Sequence, residues 1–315
     1  MKIAVSACLL GEKIRFDGGH KHDRFITDEL GRYAEFVPFC PEHLAFGTPR
    51  PSLRMVREEG TFVIRSNKDG SDLTGILEKA SQQALSALDA QKLGGIIFKA
   101  KSPSCGLGSA KAYLPNGFAE GKSSGLFADL CRAYYPLLPM EEEGRLSDPW
   151  LRENFVMQLF AYDDFEQFKA SEPDMKALVA FHQAYKFMLQ SKDERSYRRL
   201  GAIVGNQERA DFSELFSHYE RLFKTAIGHK STIGKTRNVL EHMAGFLKNS
   251  LTPVEKSMFH EQIQDYADRI IPLIVPLSTL RIFAEKYDAA YLVGQKFLHP
   301  YPKELALRSD IRSGK

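Results

Sequence analysis

The chain has 315 residues, 43% of them hydrophobic and 26% charged, with a formal net charge of +3. This balance excludes a disordered or collagen-like chain and suits a globular protein of about two domains. No apolar run approaches the roughly 18 residues of a membrane span, and the opening MKIAVSACLL reads as a buried strand rather than a signal peptide, so a cytoplasmic protein without a membrane partner is expected.

Strand and helix signals alternate through the first half. Residues 3–8 read as a buried strand, 24–33 as a short helix and 35–40 as a second strand. Residues 53–66 read as a hairpin turning near Glu59-Gly60. Asp72 is a candidate cap for a long helix in which Leu73, Ile76, Leu77, Ala80, Ala84, Leu85 and Leu88 recur at helical spacing, stopped by Gly94-Gly95. Residues 96–100 read as a third core strand, and 124–135 as a helix started by Ser123 or Ser124. Such alternation predicts an α/β domain with a mostly parallel sheet.

The acidic stretch 139–149, with its Pro, Gly and Ser, reads as a linker, after which Ser147 or Asp148 caps a helix with Pro149 in its first turn. Beyond it, 149–169, 174–191, 194–205, 211–228, 234–249, 252–269 and 276–296 all read as amphipathic helices, which predicts an all-α domain. Charge differs between the halves. The first 148 residues balance at zero, whereas 182–248 hold 12 basic against 7 acidic residues and four histidines. A solvated face explains that excess as readily as a nucleic-acid footprint does.

Cys8 ends the first expected strand, Cys40 the second, and Cys105 follows the third. The carboxyl ends of parallel strands border the ligand crevice of such sheets, so these thiols are expected to converge. Thiolates favour zinc, copper(I) or iron–sulfur clusters, and spacings of 32 and 65 residues contain no close zinc-type pair. Three thiolates would leave one iron of a [4Fe–4S] cluster free for a substrate atom; three separate buried cysteines are the plain alternative. Polar groups flank the thiols: Arg15, Asp17 and Lys21 after Cys8, Glu42 and Arg50 after Cys40, and Ser102 and Ser104 before Cys105. Arg50 and Asp17 can orient a base or brace loops. Cys131, mid-helix between Leu130 and Arg132, reads as core.

VSACLLG, RFDGGHK, CPE followed by PRP, and KAKSPSCG occur in that order, and through them residues 1–145 resemble the bacterial thiouracil desulfidase family. HQAYKFMLQSKDERSYRRLG, RNVLEHMAGFLK, PLIVPLSTLR and FLHPYPKEL make residues 146–315 similar to the YbgA-like domain, and the fusion resembles the tRNA 4-thiouridine desulfidases. The resemblance implies a [4Fe–4S] cluster on Cys8, Cys40 and Cys105, an open iron that abstracts sulfur without redox change, and Glu42 as the acid–base residue. It implies a catalytic serine at Ser102 or at Ser104. Ser102 is placed first, because Ser104 adjoins a cluster ligand and can serve it by a hydrogen bond. A tRNA containing 4-thiouridine is the implied partner, and no oligomeric state is implied. Lys186, Arg198, Arg199, Lys230, Lys235 and Arg237 are the candidate tRNA contacts; His182, Tyr185 and Tyr197 lie among them, and at helical spacing such aromatics can equally be core. Two alternatives stand beside this reading. One is a desulfidase of free thiouracil or thionucleosides whose C-terminal domain is structural or dimerising. The other is a non-catalytic, zinc-containing RNA-binding or regulatory protein.

Overall fold

The computed structural model describes residues 1–207, 209–311 and 314. The chain divides into two compact units, Met1–Leu146 and Ser147–Lys315.

The first unit is α/β. In chain order it holds β1 (Lys2–Ser6), β2 (Glu35–Phe39), α1 (Pro41–Phe46), β3 (Leu53–Glu58), β4 (Thr61–Ser66), α2 (Thr74–Asp89), β5 (Gly95–Phe98), β6 (Ala110–Tyr113), β7 (Ala119–Ser123), α3 (Leu126–Tyr134), β8 (Met140–Glu142) and α4 (Glu143–Leu146). One sheet has the order β2-β1-β5-β8 and is parallel throughout. Its central strands are continuous apolar runs, as strands covered on both faces must be: Ile3, Ala4, Val5, Ile96, Ile97 and Phe98 are wholly buried. Phe39, Phe98 and Phe127 pack with ring centroids 5.1–6.3 Å apart, pinning α3 to this sheet. Cys131 lies beside them in the same core, and burial pushes its thiol up to about 12.

A second sheet, of order β4-β3-β6-β7, was not anticipated beyond its hairpin. Glu59 and Gly60 both take positive φ, as the tight turn joining β3 to β4 requires. β6 alternates buried Ala110 and Ala112 with exposed Lys111 but is only four residues long, and β7 is mostly exposed, so neither stands out in the sequence.

Several expected boundaries need correction. Asp72 accepts from Thr74 N–H at 2.9 Å, but the residue preceding α2 is Leu73. Neither Ser123 nor Ser124 caps α3. Gly125 stands there, because a Cβ on it would lie 2.5 Å from the Ser104 carbonyl carbon. Residues 140–146, read as linker, form β8 and α4 instead. Their acidic side chains have partners inside the unit: Glu142 accepts from Leu107 N–H and Ser109 Oγ, Glu143 from Lys99 Nζ and Ala100 N–H, and Glu141 from Arg145.

The second unit is helical: α5 (Pro149–Ala170), α6 (Met175–Lys192), α7 (Glu194–Gly205), α8 (Phe212–Gly228), α9 (Ile233–Phe246), α10 (Pro253–Ala267), α11 (Ile274–Lys286) and α12 (Ala290–Val293). Side-chain oxygens of Asp148, Asp174, Asp193, Asp211, Thr232 and Thr252 cap the starts of α5 to α10. The single helix expected over 276–296 is broken where Asp288 takes a φ of 50°. Among the described residues, no helix is long and apolar enough to cross a membrane.

Candidate functional site

The three thiols stand one step beyond the strand ends. Cys8 lies in a 3-10 turn, Ala7–Leu10, that continues β1. Cys40 follows β2 and is the N-cap of α1, its Sγ accepting from His43 N–H at 3.4 Å. Cys105 sits in the turn after β5, its N–H donating to Ser102 Oγ at 3.1 Å. Because β1, β2 and β5 are parallel neighbours, these three turns open on one sheet edge. All three cysteines line a single cavity of about 470 Å³. Burial pushes the Cys8 thiol up to about 11, with Cys40 adding to it. Burial likewise raises Cys40, and it lifts Cys105 far above the usual thiol range with Cys40 and Glu42 contributing. Bare, the thiols are protonated; metal uptake would displace those protons. Among the described residues, no three His, Cys, Asp or Glu side chains are grouped closely enough to hold one metal ion. Thiolates around a single tetrahedral zinc would stand within about 4 Å of one another.

Glu42, in the first turn of α1, is held at both oxygens. Oε1 accepts from Ser102 Oγ at 2.9 Å and Ser104 Oγ at 2.6 Å, and the two hydroxyls lie 3.0 Å apart. Oε2 accepts from Arg50 Nη2 at 3.0 Å. The structure thus brings both candidate serines onto one carboxylate oxygen. They differ in their other bonds. Ser102 Oγ accepts the N–H groups of Ser104 and Cys105, so it shapes the turn that carries Cys105. Ser104 Oγ instead lies 3.5 Å from Cys105 Sγ.

Arg50 is deeply buried, its side chain 3% exposed. Besides Glu42 it donates to Ile14 O at 2.7 Å, Gly47 O at 3.0 Å and Thr48 Oγ1 at 3.3 Å, tying the loop after Cys8 to the loop after α1. Asp17 is exposed; it accepts from Gly19 N–H, which with the nearby Arg15 holds its carboxyl below the usual range.

The Cys105 turn is further fixed from behind. Leu126 N–H donates to Pro103 O, and Phe127 and Ala128 N–H to Ser104 O, so the first turn of α3 satisfies its free donors on that turn's carbonyls. Lys99, which lines the cavity, pairs with Glu143. Sequence reasoning missed Lys99, Glu142 and Glu143, because the acidic run resembled a linker and nothing in its pattern revealed inward-facing partners.

In the helical unit the six basic candidates have different surroundings. Lys186 on α6 holds its ammonium 5.2–5.9 Å from the ring centres of Phe187, Phe246 and Tyr291. Arg198 pairs with Glu194, while Arg199 and Arg237 are exposed. Lys235 donates to Lys192 O at 2.6 Å, and Lys230 and Lys235 both lie near the ammonium of Lys192. Lys192 itself is fully buried, bonds Asn154 Oδ1 at 2.7 Å, and is held down to about 7 by that burial. Tyr185 and His182 are core: Tyr185 stacks on Phe181 at 4.6 Å, and His182 bonds Tyr219 OH at 3.2 Å while Tyr197 stacks on it.

Comparison with known proteins follows this division. Residues 3–143 match the family model described as 2-thiouracil desulfurase, and 186–302 match that described as protein of unknown function DUF1722. The chain is 30% identical over 139 residues to the uncharacterized protein YbbK of Bacillus subtilis (strain 168), covering 41% of this chain and 89% of that one. It is 22% identical over 157 residues to the uncharacterized protein YbgA of Escherichia coli (strain K12), covering 50% of this chain and 93% of that one. A solved protein, the [4Fe-4S]-dependent thiouracil desulfidase TudS, is 31% identical over 46% of this chain and 93% of its own, with a TM-score of 0.38. Through the unit that carries the three thiols, the chain belongs to the 2-thiouracil desulfurase family, with a DUF1722 region fused behind it.

Proposed function

We propose that this protein is a desulfidase that converts 4-thiouridine in tRNA to uridine, with a [4Fe–4S] cluster held by Cys8, Cys40 and Cys105. The observation that carries the reading is the meeting of three thiols, Cys8 and Cys105 buried and Cys40 half-buried, with a Glu42–Ser102–Ser104 cluster on one cavity wall. An all-sulfur donor set suits iron–sulfur clusters. When bound there, such a cluster supplies one iron without a protein ligand, a Lewis acid for a thiocarbonyl sulfur.

The net reaction exchanges the sulfur of C=S for the oxygen of water and releases hydrogen sulfide, so no electrons are transferred. Glu42 Oε1 is the proton acceptor of the site, and the two serine hydroxyls that touch it are the routes by which a proton reaches the ring or leaves the attacking water. Arg50 fixes Oε2 and so keeps Oε1 turned toward the serines. The basic excess of 182–248, with Arg199 and Arg237 exposed, supports an RNA substrate.

The family description favours a second reading, free thiouracil as the substrate. Anaerobic purification with iron and sulfide analysis tests the shared part: roughly four irons per chain and matching labile sulfide are expected, and both are lost on Cys8→Ala, Cys40→Ala or Cys105→Ala. An iron-free chain sinks the desulfidase reading. Mass spectrometry of nucleosides from treated tRNA separates the two substrates: conversion of free thiouracil with 4-thiouridine in tRNA untouched leaves only the second reading.

A further inference from the structure

A second pocket of about 220 Å³ adjoins the thiol-lined cavity, and the two share Leu53, Lys101 and Pro103 in their walls. Arg54, Lys101 and Lys111 line this second pocket, and no carboxylate does. Arg54 on β3 stands opposite Arg65 on β4, and Lys111 immediately precedes Ala112, the β6 partner of Met55. With Lys122 on β7 opposite Lys111, four cations therefore run side by side across one sheet, an arrangement that repels itself. Arg65 is offset by Glu58 and Asp72. Arg54, Lys101 and Lys111 have no acidic partner among the described residues, and the Nε of Arg54 is buried without any hydrogen-bond acceptor. Lys101 is held at a φ of 63°, in the left-handed region, with its N–H on Ser109 Oγ at 2.7 Å. Strained non-glycine residues of this kind concentrate where they position a side chain for binding.

We propose that Arg54, Lys101 and Lys111 form an anion subsite that receives the phosphate attached to a thionucleoside while its base lies in the thiol-lined cavity. The proposal rests on the desulfidase reading above and deepens it. A free thiobase carries no anionic group for these cations, whereas a phosphate supplies charged acceptor oxygens matched to a guanidinium and two ammonium groups. Lys101, belonging to both walls, marks the junction between base and phosphate. The phosphomonoester of a free nucleotide and the phosphodiester of an RNA chain share this chemistry.

The test uses the full-length, cluster-loaded protein and compares kcat/KM for 4-thiouracil, 4-thiouridine 5′-monophosphate and 4-thiouridine-containing tRNA. In Arg54→Gln the ratio of phosphate-bearing substrate to 4-thiouracil should fall roughly ten- to a hundred-fold, as loss of a charge-assisted bond implies. Lys111→Gln should lower it in the same direction, about threefold, since that lysine is exposed. A fall for tRNA assigns the subsite to a backbone diester, and a fall for the monophosphate alone assigns it to a monoester. If the wild type ignores tRNA while the monophosphate ratio falls, the tRNA reading fails and the subsite stands. Unchanged ratios in both variants, each folded by thermal melting, overturn the subsite. Should Arg54→Gln not fold, Lys111→Gln and product inhibition of the wild type decide: uridine 5′-monophosphate inhibiting no better than uridine also overturns it.

Discussion

Arg50 offers a test of the site's construction that needs no cluster. Its guanidinium makes four bonds from a 3% exposed side chain, and its carboxylate partner, Glu42, is 12% exposed. Arg50→Met keeps much of the volume and removes every donor. Stranding one member of a buried ion pair costs about 3–5 kcal/mol. Two serine hydroxyls still hold Glu42 Oε1, so the lower end, about 3 kcal/mol, is expected. In a unit the size of Met1–Leu146 that loss lowers Tm by about 10 °C. The assay is thermal melting of the cluster-free chain in a double-mutant cycle with Glu42→Gln, which removes the stranded charge. The double variant should recover part of the loss, because the larger share of the cost is an unpaired carboxylate rather than a missing contact. A single-variant drop below about 3 °C, or a double variant that melts at the sum of the two single losses, would refute this account of how Glu42 is held.

The two serines should separate by phenotype. Ser102→Ala strands the N–H groups of Ser104 and Cys105, at about 1–3 kcal/mol for each left unpaired, so iron per chain should fall; Ser104→Ala leaves those bonds intact, so iron should stay while activity drops. Equal iron content in both variants would contradict that division. Lys192 gives a pH signature in the helical unit. Its folded value of about 7 lies below the usual 10.5, so the unfolded chain binds the extra proton between those pH values and stability should rise as pH climbs through that window. The rise is bounded at about 5 kcal/mol by the size of the shift, and Lys192→Met should abolish it in melting curves taken from pH 7 to 10. A variant with the same slope as wild type would show that another group titrates.

The architecture was legible because it rests on periodicity and caps, which are local. The parallel core is written in apolar runs such as 3–5 and 96–98, and the helical unit in the Asp and Thr residues before α5 to α10. The second sheet was less legible: β6 spans only four residues, too few for its buried–exposed alternation to stand out, and β7 is mostly exposed. The site divided along the same line. Cys8, Cys40 and Cys105 can be placed from their positions at strand ends, and Glu42 with its serines from the family motifs. Arg50 stands in PRP and was expected to orient a base or brace loops; its burial, which comes from two loops folding over it, has no local pattern to announce it. Lys99, Glu142 and Glu143 were hidden because an acidic run reads the same whether its carboxylates face water or face backbone N–H groups across the unit.

Inward-facing carboxylates and backbone bonds also hold the thiols in place. Each sits on backbone fixed by bonds that involve no metal. Cys8 O accepts from Lys21 N–H at 2.8 Å, Cys40 caps α1, and the Cys105 turn is gripped by Ser102 on one side and the first turn of α3 on the other. Glu142 extends the grip to Leu107 and Ser109. A site built this way loses little conformational freedom on loading, so the main opposing costs are deprotonation and desolvation of the thiols. The surrounding loops therefore carry the specificity. Ser102 holds the Cys105 turn, Gly125 lets α3 close on the Ser104 carbonyl, and Arg50 ties the loop after Cys8 to the loop after α1, so replacing any of them should lower iron per chain.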